Sequence, residues 1–268
     1  MAGMHLSSDD AQIFYTLVGD GLPVFLLHPF PASHKVWLPA AELLASRYRL
    51  ILPDLRGHGQ SDAGAGPATM EMHAADLLRL CDACGVGKAI FAGVSIGGYV
   101  LFEFWRRHRE RVAGLILCDT RAGADSDEAR ANRLKAAADV EKQGPVPFID
   151  SMIPKLFGDT TRTTRPDLVE RARKMMLETP AAGIAAVQRG MAARPDSVPD
   201  LKTINVPTLV MVGAEDTLTP LTEAELLQRQ IAGSRLEVIP RAGHYAVFEQ
   251  HEAAGKAIRG FLDGIKTW

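Results

Sequence analysis

The chain has 268 residues, of which 47% are hydrophobic and 23% charged, a composition typical of a globular protein with a full core. Its 30 basic and 32 acidic residues give a formal net charge of −2, so no nucleic acid or membrane partner is expected. The first ten residues lack a signal-peptide pattern, and no apolar run reaches the ~18 residues of a membrane span. We therefore expect a cytoplasmic protein that acts on a small neutral or weakly charged molecule.

The first half of the chain alternates strand-like and helix-like segments. Strand patterns lie at residues 12–18, 23–28, 48–53, 88–92 and 112–118, and helical patterns at 38–47, 70–84 and 98–105. The first two strands are joined by a glycine-rich turn, which predicts an early hairpin. The later alternation of strands and helices predicts parallel βαβ units with helices on both faces of the sheet.

A long helical segment, residues 122–205, separates the strand at 112–118 from the next strand, at 206–213. One crossover helix needs only about a dozen residues, so this segment predicts an inserted helical cap. Helical patterns within it lie at 126–143, 147–157, 166–178 and 180–194. The core is then formed by residues 1–121 and 206–268, which include a last strand at 235–239 and a final helix. Phe148, Met152 and Phe157 belong to an apolar cluster of the cap and are expected in the pocket wall.

The three cysteines are Cys81, Cys84 and Cys118, and the first two have the spacing C-x-x-C. A zinc or redox role is the alternative to consider, but no second Cys or His pair with metal-ligand spacing accompanies them. Because Cys81 and Cys84 belong to a helical pattern with an apolar face, we expect packing thiols and no metal.

Residues 93–97, GVSIG, lie between a strand and a helix. Glycines on both sides of Ser95 allow a sharp turn that presents the serine hydroxyl at the edge of the sheet, as in a nucleophile elbow. A serine hydroxyl is a poor nucleophile near neutral pH, so it needs a base and a group that orients the base. His244, between the last strand and the last helix, is the candidate base.

The orienting carboxylate is expected at the end of a strand between Ser95 and His244. Asp216, just after strand 206–213, meets that condition, and Glu215 and Asp119 remain alternatives. The loop at residues 28–31, HPFP, is expected beside the serine, where Phe30 offers an N–H that its proline neighbours lack. His28 and His58 are interpreted as structural histidines.

Five motifs follow one another in the order of a known superfamily: HPFP at 28–31, DLRGHGQS at 54–61, GVSIGG at 93–98, GAEDTLTP at 213–220 and GH at 243–244. With them the chain resembles the α/β-hydrolases, in the branch of small esterases, cofactor-free haloperoxidases (perhydrolases) and 3-oxoadipate enol-lactonases. The resemblance spans nearly the whole chain. It implies a mostly parallel, twisted sheet of about eight strands flanked by helices, with the helical cap inserted. Pro29 departs from the glycine usual after the first histidine.

The resemblance also implies a role for each matched residue. Ser95 is the nucleophile, His244 the base and then the acid, and Asp216 the orienting carboxylate. The backbone N–H groups of Phe30 and Ile96 form the oxyanion hole, and no metal or organic cofactor is required.

A serine nucleophile suits attack on an acyl carbonyl, so the predicted function is that of a carboxylesterase working through an acyl-enzyme. An enol-lactonase is the alternative within acyl chemistry, with Arg121 contacting a carboxylate of the lactone. Perhydrolysis is a further side activity, and a ligand-binding receptor of the same fold is the non-enzymatic alternative. The sequence leaves open the acyl and alcohol groups, the stereochemistry and the oligomeric state.

Overall fold

A computed structural model describes residues 3–265 of the chain. Within these residues eight strands form one sheet: β1 (Gly3–Ser8), β2 (Ala11–Val18), β3 (Leu22–Leu27), β4 (Tyr48–Pro53), β5 (Ala89–Val94), β6 (Val112–Cys118), β7 (Thr208–Gly213) and β8 (Arg235–Ile239). Their order across the sheet is β1-β2-β4-β3-β5-β6-β7-β8. The pairs β1–β2 and β2–β4 are antiparallel and the other neighbours are parallel. The predicted mostly parallel sheet is thereby confirmed.

Helices cover both faces of this sheet and fill the long insertion. Those of the described range are α1 (Leu38–Leu44), α2 (Met70–Ala83), α3 (Ile96–His108), α4 (Asp127–Gln143), α5 (Pro145–Leu156), α6 (Asp159–Thr164), α7 (Pro166–Met176), α8 (Ala181–Ala192), α9 (Val198–Leu201), α10 (Leu221–Gln230), α11 (Ala246–Glu249) and α12 (His251–Asp263). Helices α4 to α9 lie between β6 and β7, in the segment predicted to form the cap. The division into core and cap stays a prediction.

The predicted hairpin of the first two strand patterns is wrong. Strand β4 lies between β2 and β3, pairing antiparallel with β2 and parallel with β3. The reason is burial: Val24 to Leu27 are fully buried, as suits a central parallel strand covered by helices on both faces. The antiparallel partner of β2 on its other side is β1, whose mostly exposed and half-buried residues gave no strand signal.

The central strands bring the candidate site to one edge of the sheet. Strands β5, β6 and β7 are buried along their whole length, and their carboxyl ends point to the same edge. In such sheets ligands bind outside the carboxyl ends of the strands. The loops after β5, β7 and β8 carry Ser95, Asp216 and His244, so the topology gathers these three residues there.

The three cysteines are buried and unpaired by disulfides. Burial raises the pKa of Cys81 to about 12, so its thiol stays protonated and packs as an apolar side chain. Among residues 3–265, no group of three His, Cys, Asp or Glu side chains has the arrangement of a metal site. No helix of that same range is long and apolar enough to cross a lipid bilayer.

Candidate active site

Ser95 occupies a strained turn between β5 and α3. Its backbone has φ 54° and ψ −113°, a conformation that costs a residue with a side chain of order 1–3 kcal/mol. The close packing of the turn explains its glycines. A Cβ at Gly93 would lie 2.4 Å from the backbone carbon of Gly97, and one at Gly97 would lie 2.8 Å from the carbonyl oxygen of Leu27. The turn places Ser95 in the wall of a cleft at the sheet edge.

His244 links Ser95 to Asp216. Its Nε2 lies 2.8 Å from the Ser95 Oγ, and its Nδ1 lies 2.9 Å from Oδ2 of Asp216. Asp216 is held in turn by the backbone N–H groups of Leu218 and Thr219, which donate to Oδ1 at 2.8 and 3.1 Å. The Thr219 hydroxyl donates to Oδ2 at 2.6 Å. Three side chains from three loops thus form one hydrogen-bonded chain, in the arrangement of a catalytic triad.

The environment of Asp216 keeps its carboxylate ionised. Burial by itself would raise the pKa of Asp216, but the adjacent His244 and the hydrogen bonds from Thr219 outweigh burial and lower it. A carboxylate that accepts a hydrogen bond at Nδ1 leaves Nε2 of His244 unprotonated and facing the serine hydroxyl. Thr219, which was not among the predicted site residues, is therefore part of this site.

The two alternative carboxylates have other partners. Asp119 is buried, and its Oδ1 accepts the Gly213 N–H at 2.7 Å. Burial and the nearby charge of Asp216 raise the pKa of Asp119 well above its ordinary value. Glu215 accepts the backbone N–H of Thr160 at 2.9 Å and the Thr160 hydroxyl at 2.5 Å. Within residues 3–265 neither carboxylate hydrogen-bonds His244, so the geometry favours Asp216.

The backbone N–H groups of Phe30 and Ile96 have no hydrogen-bond acceptor among residues 3–265. Ile96 is the first residue of α3, where helix N–H groups lack an intrahelical partner. The loop of Phe30 is anchored to the loop of His244, since the Tyr245 hydroxyl donates to the Phe30 carbonyl oxygen at 2.9 Å. The role of these two N–H groups as an oxyanion hole stays a prediction.

His28 and His58 are buried and do not line the cleft. The Nε2 of His28 accepts the Leu55 N–H at 2.8 Å, and burial lowers the pKa of His28 to about 4. Nδ1 of His58 lies 3.1 Å from the Arg56 carbonyl oxygen, and burial lowers the pKa of His58 well below its ordinary value. Both rings are therefore neutral and structural.

The cleft above Ser95 and His244 has a volume of about 670 Å³. Phe148 and Met152 of α5 lie in its wall. Such a volume lies within the range of small-molecule sites.

The expectation for Phe157 is not met. Its ring is buried against Tyr245, at 5.4 Å between ring centroids, and Leu156 lines the cleft in its place. The physical reason is that α5 ends at Leu156 and residue 157 is extended, which turns the ring toward the loop of His244.

Arg121 lines the cleft and belongs to a larger cluster that the sequence did not indicate. The carboxylate of Asp125, whose side chain is 1% exposed, lies 2.9 Å from Nη2 of Arg121, 2.5 Å from Nε of Arg133 and 2.8 Å from Nη1 of Arg194. One buried carboxylate facing three guanidinium groups leaves an excess of positive charge. Arg133, from α4, also lines the cleft.

The order of the eight strands, with a serine turn after β5 and a histidine loop after β8, defines the α/β-hydrolase fold. The family model described as alpha/beta hydrolase fold matches residues 23–250, and the chain belongs to this superfamily.

Three similar proteins show which activities occur among the relatives of this chain. The chain is 30% identical to 3-oxoadipate enol-lactonase 1 of Acinetobacter baylyi over 234 residues, which cover 87% of this chain and 86% of the relative. A thermophilic esterase from Thermogutta terrifontis, solved with malate bound, has a TM-score of 0.96 and 42% identity over the full length of both chains. The enol-lactonase from Burkholderia xenovorans has a TM-score of 0.90 and 26% identity, covering 97% of this chain and 100% of its own. The relatives of the present chain thus include both esterases and lactonases.

Proposed function

We propose that this protein is a serine hydrolase that cleaves small carboxylic esters through an acyl-enzyme on Ser95. The observation that carries the proposal is the continuous hydrogen-bonded chain from the Ser95 hydroxyl through His244 to Asp216. The esterase relative that matches over the full length supports the ester as substrate.

Acylation begins when Ser95 Oγ attacks the ester carbonyl carbon and Nε2 of His244 takes the hydroxyl proton. Asp216 stabilises the imidazolium that forms, through Nδ1. The carbonyl oxygen becomes an oxyanion between the N–H groups of Phe30 and Ile96, and each such donor contributes of order 100- to 1,000-fold to kcat. His244 then protonates the leaving alcohol.

Deacylation repeats these steps with water as nucleophile. Nε2 of His244 takes a proton from a water molecule, which attacks the acyl carbonyl. The second tetrahedral intermediate collapses with cleavage of the bond between the acyl carbon and Ser95 Oγ, His244 returns the proton to Oγ, and the carboxylic acid is released.

The proposal is tested by a pair of serine variants. Ser95→Ala abolishes turnover of p-nitrophenyl acetate and labelling by a fluorophosphonate probe, because no activated oxygen remains. Ser151→Ala is the matched control, since Ser151 also lines the cleft but donates its hydroxyl to the Phe148 carbonyl oxygen. Turnover by Ser95→Ala near the wild-type rate would contradict the proposal. A wild-type protein that binds esters but does not react with the probe would favour the receptor alternative.

A second candidate is the hydrolysis of a lactone or ester that carries a carboxylate. The specific observation is the pair Arg121 and Arg133 in the cleft wall, where one buried Asp125 neutralises only part of their charge. Two of the relatives named above are enol-lactonases, and the esterase relative was solved with malate, a dicarboxylate.

This candidate is tested with monomethyl adipate, an anion at neutral pH, against neutral dimethyl adipate. Arg121→Gln and Arg133→Gln raise KM for the monoester by roughly 10- to 100-fold, which corresponds to the loss of one hydrogen bond to a charged group. KM for the diester stays unchanged. The matched control is Arg189→Gln, since Arg189 pairs with Glu141 on the cap. Equal KM values for both esters in every variant would rule out anion recognition.

A further inference from the structure

The buried carboxylate of Glu249 lies behind the loop of His244. It is 0% exposed and stands at the end of α11. Its Oε1 accepts the backbone N–H groups of Gly243 and Tyr245, at 2.9 and 3.2 Å. These two residues are the immediate neighbours of His244 in the chain. One carboxylate oxygen therefore holds the backbone on both sides of the histidine.

The other oxygen of Glu249 reaches the helical insertion. Its Oε2 accepts the N–H of Gly158 at 2.9 Å. The two backbones touch directly at this point, because a Cβ added to Gly243 would lie 2.3 Å from the Gly158 nitrogen. Tyr245 also donates its N–H to the carbonyl oxygen of Leu156, at 3.2 Å.

Residues 156–160 also contact the loop of Asp216, the orienting carboxylate. Glu215, the residue before Asp216, accepts both the N–H and the hydroxyl of Thr160. Residues 156–160 are thus hydrogen-bonded to the loop of His244 through Glu249 and to the loop of Asp216 through Glu215.

We propose that Glu249 is a positioning residue for His244, which ties its loop to residues 156–160 of the insertion and thereby sets the distance from Nε2 to Ser95. This inference rests on the proposed function, in which His244 is the base. Glu249 does not line the cleft, so it acts through the backbone of residues 243–245.

Substitution of Glu249 removes acceptors from buried N–H groups. In Glu249→Ala the N–H groups of Gly243 and Gly158 lose their acceptor, and the Tyr245 N–H keeps only the Leu156 carbonyl oxygen. In Glu249→Gln the amide nitrogen is a donor and cannot accept in place of one carboxylate oxygen. A displacement of a reacting group by about 1 Å costs on the order of 100-fold in rate. We expect kcat to fall roughly 10- to 100-fold in Glu249→Ala and less in Glu249→Gln. KM stays within about twofold, because the substrate contacts are intact.

The matched control is Glu103→Gln. Glu103 is likewise a buried glutamate, but it pairs with Arg106 and Arg107 on α3 and does not line the cleft. Its substitution lowers the melting temperature and leaves kcat unchanged. Gly158→Ala perturbs the same contact from the other side, since its Cβ would lie 2.4 Å from Glu215 Oε2 and 2.9 Å from the Gly243 nitrogen. We expect it to reproduce the fall in kcat.

Each variant is measured for kcat and KM on p-nitrophenyl acetate, for melting temperature, and for the downfield ¹H NMR signal of the His244 Nδ1 proton. A shifted or broadened signal together with lower kcat at constant KM supports the proposal. If Glu249→Ala does not fold, the proposal is tested with Glu249→Gln and Gly158→Ala instead. Wild-type kcat and an unchanged imidazole signal in folded Glu249→Gln and Gly158→Ala would overturn it. So would an equal fall in kcat in Glu103→Gln.

The failure of the proposed function has a different signature. If the wild-type protein neither cleaves esters nor reacts with the fluorophosphonate, the assignment of Ser95 fails. The imidazole signal of the Glu249 variants still reports whether this carboxylate positions His244.

Discussion

The choice between Asp216 and Asp119 as the orienting carboxylate can be tested with two isosteric substitutions. Asp216→Asn keeps an oxygen that accepts the N–H groups of Leu218 and Thr219. The amide nitrogen then takes the place of Oδ2, which lies 2.9 Å from Nδ1 of His244 and 2.6 Å from the Thr219 hydroxyl. Two donors would meet at Nδ1, so the imidazole moves its proton to Nε2 and no longer accepts the proton of Ser95.

The expected magnitude follows from this change of tautomer. In a serine protease the same type of substitution lowers kcat by about 10⁴-fold, which corresponds to about 5.4 kcal/mol of activation free energy. Asp119→Asn has a different outcome, because within residues 3–265 the carboxylate of Asp119 does not hydrogen-bond His244 and burial already disfavours its charged form. Its oxygen still accepts the Gly213 N–H, so kcat stays within about threefold of the wild type.

The assay is the initial rate of p-nitrophenyl acetate hydrolysis across a pH series, with circular dichroism as the control for folding. The pH series matters because Asp216→Asn removes the working tautomer at every pH, so raising the pH does not restore the wild-type rate. An active Asp216→Asn beside an inactive, folded Asp119→Asn would refute the reasoning and move the acid to the end of β6.

Two further predictions concern stability. The ring nitrogens of buried His73 have no hydrogen-bond partner within residues 3–265, and burial, together with the charge of Arg56, lowers the pKa of His73 to about 3. Between the ordinary pKa of about 6.5 and that value the unfolded chain binds the extra proton, so the free energy of unfolding falls as the pH falls. Urea denaturation from pH 7 to 4 is therefore less pH-dependent in His73→Phe, and an unchanged slope would contradict this. Gly93→Ala loses on the order of 1–3 kcal/mol of stability, and activity with it, because its Cβ meets the backbone of Gly97 at 2.4 Å. Gly87→Ala, where a Cβ has no neighbour within 4 Å, is the control, and equal stability of both variants would show that the elbow tolerates a side chain.

Local signals in the sequence were enough to locate most elements and the three central residues of the candidate site. The apolar runs at 48–53 and 112–118 coincide with β4 and β6, because strands in the middle of a sheet covered by helices are buried and mostly apolar. The glycines around Ser95 marked the turn, because a Cβ at Gly93 would meet the backbone of Gly97 within the same motif. Because Ser95, Asp216 and His244 each follow a strand, sequence order alone placed them at one edge of the sheet.

Contacts between distant segments were decided only by the tertiary structure. β4 lies between β2 and β3 because it covers the apolar run of β3 in the centre of the sheet. The glycine-rich turn between β2 and β3 carries no information about this pairing with a more distant strand. The direction of the Phe157 ring depends on where α5 ends.

The chemistry of the site depends most strongly on such distant contacts. Asp119 and Asp216 both follow a strand, and what separates them is the partner of each carboxylate and its effect on the pKa. Asp125 meets Arg133 and Arg194, and Glu249 meets Gly158, across wide separations in the chain. Charge, burial and hydrogen bonding are properties of neighbours in space. The short motifs therefore indicated where the candidate active site lies. Only the tertiary structure showed which side chains hydrogen-bond its residues, which charges lie beside them and which residues form the wall of the cleft.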